Sequence, residues 1–143
     1  MDRKAENLPA AAADISARLQ ASGIRVTAQR LQIAELLLAV PQHLTADQIA
    51  EALQQRGLVV AKATVYNTLN LFAARGLLRP LSVDGARSWF DSNVEPHYHF
   101  HDERTGALSD VALPEVQFSR LPEPPAGMEV AGLDLVIRLR PIR

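Results

Sequence analysis

"LLRPLSVDGARSWFD", residues 77–91, decides the fold. Before this stretch apolar residues recur every three or four positions; within it the period drops to two. Asp84-Gly85 lies at its middle, and an Asp-Gly pair is the strongest signal for a two-residue turn, because a type I′ turn needs positive φ at both positions. The stretch therefore predicts a β-hairpin closing a helical run.

Four helices are predicted upstream. Residues from about Ala63 to Arg75 make the last, with Val65, Leu69 and Phe72 inward and Gly76 as its stop. In "LTADQI" (44–49), Thr45 and Gln48 form a capping box and Leu44 can staple onto Ile49; Gly57 closes that helix. Thr27 can cap another, with Leu31, Ala34, Leu37 and Leu38 on one face and Pro41 ending it. Residues 10–22 supply the first, with Ile15 and Leu19 inward and Gly23 after it.

Short helices followed by a hairpin is the order of a winged helix-turn-helix, whose last helix enters the DNA major groove. The outward face of that helix suits the task. Asn67 or Asn70 can bond an adenine edge, and Tyr66 and Thr64 can contact thymine methyls. Lys62, at the helix start, and Arg87, near the wing tip, can meet phosphates. A solvated helix face on some other bundle is the competing reading, since the same elements occur elsewhere.

Composition bounds the rest. The chain has 143 residues, enough for one domain or two small ones, and its 48% hydrophobic and 22% charged content is that of a globular protein. With no Cys, disulfides, zinc-thiolate knots and a cysteine nucleophile are excluded. The first twenty residues hold no apolar core of signal-peptide length, and no segment reaches the roughly 18 apolar residues of a membrane span. A cytoplasmic protein without a membrane partner is expected. Net charge is −1, unevenly spread: residues 1–90 hold 10 Lys/Arg against 7 Asp/Glu, residues 91–143 hold 5 against 9. A basic front and an acidic back imply different partners.

"DSNVEP" (91–96) is a polar connector ending in Pro, which divides the chain into domains 1–91 and 92–143. Beyond it, "EPHYHFHDE" (95–103) places His97, His99 and His101 on one face of a strand and Tyr98 and Phe100 on the other. A second strand is expected around Ala107 to Val111. After the Pro-rich "LPEPPAG", Leu133, Leu135, Ile137 and Leu139 alternate with polar positions in a last strand. So small a domain covers its apolar side poorly, and pairing with a second copy would bury it. The histidine face is either a wet strand surface or a ligand set. Histidine is the commonest metal ligand, and His43, Asp91 and Asp110 are candidate co-ligands.

"GIRVTAQR", "HLTADQI", "ATVYNTLNLF" and "GLLRPLSVDGARSWFD" resemble, in order and spacing, the ferric uptake regulator superfamily. The resemblance covers nearly all the chain from Ala17 on. "NTLNLF", "FDSNV" and the ending "LPEPPAGMEVAGLDLVIRLR" are most similar to its iron response regulator branch, Irr. It implies an α+β fold, an N-terminal winged helix-turn-helix domain followed by a small α/β dimerisation domain. It implies a homodimeric transcription regulator that binds double-stranded operator DNA under the control of iron. By position Arg25 resembles the basic residue reaching the minor groove and Tyr66 the tyrosine that meets thymine; Asn67 stands where relatives often have Arg. The implied regulatory site comprises His43, Asp91, His97, His99 and Asp110, a set that suits Fe(II), Mn(II) or Zn(II).

The chain departs from the pattern in three places. It lacks the two C-x-x-C pairs of the structural zinc. Tyr98 occupies a ligand position of a second metal site, leaving Asp134, Glu115 and His101 as remnants. The branch's association with haem rests on H-H-H, here H-Y-H, so His97, His99 or His101 would have to carry it. A zinc-, manganese- or peroxide-responsive regulator of the same superfamily is the alternative. A metal-dependent hydrolase is the remote one, because no nucleophile elbow, phosphate loop or H-E-x-x-H motif is present and no enzyme is expected.

Overall fold

The computed structural model describes residues 13–83, 85 and 88–143. They form two compact units, divided between Val94 and Glu95. The first contains helix α1 (13–21), helix α2 (Ala28–Leu38), strand β1 (His43–Thr45), helix α3 (Ala46–Gln55), helix α4 (Lys62–Ala74) and strands β2 (Arg79–Ser82) and β3 (Ser88–Asp91). The second contains β4 (Tyr98–Asp102), β5 (Leu108–Val111), a 3-10 turn at Leu113–Glu115 and β6 (Val136–Leu139). The fold is α+β.

Caps set the helix starts. Thr27 accepts the Arg30 amide at 3.2 Å to open α2. At α3 the box is reciprocal: Thr45 Oγ1 accepts the Gln48 amide at 3.2 Å, and Gln48 Oε1 accepts the Thr45 amide at 2.9 Å. The inward faces of all four helices meet in one cluster that includes Leu19, Leu37, Ile49, Leu53, Leu69 and Phe72, all fully buried. Leu31 is only half-buried in α2, and Ile33 takes the inward place, so the buried face is rotated from the expected one. Residues 10–12 of the expected first helix lie outside the described residues.

The sheet of the first unit runs β1-β3-β2, antiparallel throughout, with Phe90 reaching the helical core. Strand β1 was not foreseen: "HLT" is too short to show a period. The hairpin is present, with β2 and β3 paired from Arg79–Asp91 to Ser82–Ser88 among the described residues. Gly85 keeps the positive φ (74°) that the Asp-Gly signal requires. Arg87 and Asp84 lie outside the described residues.

In the second unit β4 is central, with β5 antiparallel on one side and β6 parallel on the other. The last strand is shorter than the alternation of Leu133 to Leu139 suggested, although the Leu135 carbonyl already accepts the His99 amide at 3.2 Å. The β4–β5 turn closes without cysteine. Asp102 Oδ1 accepts the Arg104 amide at 2.9 Å and the Thr105 amide at 3.3 Å, and Gly106 (φ 77°) completes the turn. Those amides hold the Asp102 carboxyl below its ordinary range, Arg104 contributing most. No helix among the described residues is long and apolar enough to cross a membrane.

Candidate metal centre and nucleic-acid interface

Strand register creates the first ligand pair. His43 opens β1 and Asp91 closes β3, and the antiparallel ladder sets them directly opposite each other. His43 Nε2 lies 4.0 Å from Asp91 Oδ2. Asp91 is fully buried, and its other oxygen accepts the Asn93 amide at 2.9 Å. One carboxylate oxygen is thus turned to the backbone and one toward imidazole. A buried carboxylate is costly unless compensated in this way.

The second unit holds a three-donor cluster. Asp110 on β5 is the cross-strand partner of His99. Its Oδ1 lies 3.4 Å from His97 Nε2 and 3.8 Å from His99 Nε2. The two rings meet edge-on, centroids 4.5 Å apart. His97 Nδ1 faces the Glu95 carbonyl. With Nδ1–H donating there, the neutral ring turns the Nε2 lone pair toward Asp110. A lone pair facing a carboxylate oxygen is favourable only with a proton or cation between them. These five side chains are ligand-competent, and each unit supplies its own cluster.

The wet-face reading of the histidine strand does not hold. His97, His99 and His101 are 6%, 2% and 7% exposed. His101, opposite Leu108 and Arg138, takes no part in the cluster. Haem gains nothing from this arrangement, because all three rings are buried and two are turned to Asp110. Among the described residues His101, Glu115 and Asp134 form no second ligand group.

The other candidate surface is the outer face of α4. Tyr66, Asn67 and Asn70 are exposed and Thr64 half-buried, while Val65, Leu69 and Phe72 point inward as the period requires. Thr68 is buried, its hydroxyl donating to the Thr64 carbonyl at 2.8 Å. Lys62 starts the helix and pairs with Asp47 at 2.9 Å, which raises its pKa through that hydrogen bond first. Arg25 is exposed, and its carbonyl accepts Arg30 Nη1 at 2.8 Å. Sequence reading missed Gln29 and Arg30, which with Thr27, Thr64 and Asn67 line one cleft between α2 and α4. The "TAQR" run was the available signal.

The model of the ferric uptake regulator family matches residues 21–135. The peroxide-responsive repressor PerR of Staphylococcus epidermidis is 35% identical over 100 residues, covering 70% of this chain and 67% of that one. The ferric uptake regulator of Pseudomonas aeruginosa, solved with manganese, superposes with a TM-score of 0.68 at 27% identity, covering 90% of this chain and 98% of that one. The Vibrio cholerae ferric uptake regulator superposes at 0.65 with 22% identity over 86% and 96% of the chains, which speaks for the fold alone.

Proposed function

Since the chain belongs to the ferric uptake regulator family, we propose that it is a homodimeric repressor whose hold on operator DNA depends on a divalent metal ion. Residues 1–91 bind DNA and residues 92–143 pair the subunits and sense the ligand, a division three residues ahead of the boundary between the two compact units. His43, Asp91, His97, His99 and Asp110 hold the ion, an N3O2 donor set that suits Fe(II), Mn(II) or Zn(II). What carries this reading is the convergence of two imidazole Nε2 atoms on one Asp110 oxygen. Relatives bearing the name of regulator or repressor argue for a binding protein and against a hydrolase.

The ion's chemical signal is peroxide in this reading, in place of the iron response first inferred from the sequence. Support comes from the staphylococcal relatives, which carry the name peroxide-responsive repressor. Bound iron would supply a redox-active centre, whereas zinc has no redox chemistry. Arg25, Lys62, Thr64, Tyr66, Asn67 and Arg87 make the DNA contacts, the first two and the last on the backbone or minor groove. An ion shared by both units would fix the spacing of the two recognition helices in the dimer, which must match two half-sites.

The test is operator binding by protein loaded with Fe(II) or with Zn(II), each then exposed to peroxide. Release of the iron form alone supports peroxide sensing. Equal retention of both forms removes it, and an apo-protein that binds as tightly as either removes the metal requirement.

A further inference from the structure

Gln42 precedes His43 and Ser92 follows Asp91, and the two are locked together. The Gln42 amide donates to Ser92 Oγ and the Ser92 amide to the Gln42 carbonyl, both at 2.9 Å. Ser92 Oγ also lies 3.2 Å from the carbonyls of Val40 and Gln42. The Gln42 side-chain amide meanwhile reaches the Leu36 carbonyl at 2.8 Å and the Leu37 carbonyl at 3.2 Å. Those belong to the last turn of α2, where carbonyls lack an intrahelical partner. One pair of side chains therefore closes the end of the β1–β3 ladder and caps α2.

We propose that Gln42 and Ser92 are positioning residues of the metal centre, holding His43 and Asp91 at ligand spacing before the ion arrives and joining that pair to α2. The inference rests on the metal reading proposed above. Backbone pairing alone would not require these side chains: any residue but proline at 92 can donate its amide to the Gln42 carbonyl. A short side chain bearing an acceptor oxygen, here the Ser92 hydroxyl, is needed to accept the Gln42 amide as well. An aliphatic residue would leave that amide without its acceptor and free the strand end that carries both ligands. Removing groups that orient metal ligands commonly weakens affinity by about 10- to 100-fold. The same clamp grips the C-terminal end of α2, whose N-terminal end lines the cleft shared with α4. Order imposed at His43 and Asp91 thus has a hydrogen-bonded connection to the helix beside the recognition surface.

The experiment compares full-length wild type, Ser92→Ala, Ser92→Thr and His43→Ala, titrated with Mn(II) and, in parallel, with Co(II) read by visible absorption. Ser92→Ala should bind Mn(II) about tenfold more weakly and change the Co(II) spectrum. Ser92→Thr should restore both. A purely structural hydroxyl would lower thermal stability without moving the Co(II) bands. Wild-type affinity and spectrum in Ser92→Ala, with His43→Ala impaired, overturns the clamp and leaves the metal reading standing. Wild-type binding in His43→Ala overturns both. Should Ser92→Ala fail to fold, Gln42→Met, which keeps the side-chain length and removes its donor, is judged by the same two readouts.

Discussion

Asp91 gives its two oxygens different tasks, one to the Asn93 amide and one to the space beside His43. His97 does the same with its nitrogens, Nδ1 toward the Glu95 carbonyl and Nε2 toward Asp110. These side chains were legible in the sequence as candidate ligands, since alternate histidines share a strand face and carboxylates are hard donors. Their orientation was not, because it depends on carbonyls and amides that every residue carries. Arg30 and Gln29 escaped for the same reason: only the packing of α2 against α4 makes them neighbours of Asn67. His97→Ala/His99→Ala should abolish Mn(II) binding, and adding Asp110→Ala should cost little more, because the three act as one cluster. Trp89, the chain's sole tryptophan, shares a strand face with Asp91, so its emission should report the titration. Unchanged affinity in the double variant would remove the assignment. On the DNA side, Tyr66→Ala should weaken operator binding by about 1–3 kcal/mol and relax specificity. Equal operator affinity, measured by titration of both proteins, would show that α4 does not read bases.

Elements with strong local chemistry were foreseen: the capping box at Thr45 and Gln48 and the Gly76 stop are visible without any tertiary knowledge. Elements that exist only through partners were not. Strand β1 is held by its ladder to β3, and no three-residue pattern announces that. Two element-level consequences can be measured. Asp47 on α3 holds Lys62 at the start of α4, and a DNA phosphate would have to compete for that ammonium. Asp47→Asn should therefore tighten binding to all DNA sequences alike and steepen the salt dependence by about one ion; a sequence-selective change would assign Asp47 another role. The β4–β5 turn gives a pH effect. Its Asp102 carboxyl is held below the ordinary value of 3.8, so the turn's contribution is present above that value. It is lost as pH falls through the lower value of the folded protein. Amide exchange at Arg104 and Thr105 should rise over that acid window, and Asp102→Ala should show the rise at neutral pH.

At the scale of the molecule, the helical core and the second unit's sheet are built very differently. The first unit buries a continuous cluster from four helices and Phe90. In the second unit, Tyr98 and Val111 are the large apolar residues buried among those described, while Phe118, Leu121, Met128, Val130, Leu133 and Leu139 stay exposed. Among the described residues strand β6 lies at an edge of its sheet, and Ile137 is only half-buried. A sheet of this size, apolar at its edge, is marginal on its own in water. A second copy of the same surface, related by a two-fold axis, satisfies both the edge and the apolar residues. Ile137→Asp places a charge where that interface would form, and such a charge is costly to bury. The variant should sediment as a monomer and bind a two-half-site operator far more weakly, while a single half-site should distinguish it little from wild type. A wild-type chain that sediments as a folded monomer at micromolar concentration would contradict the dimer. So would an Ile137→Asp variant that retains both its mass and its operator affinity.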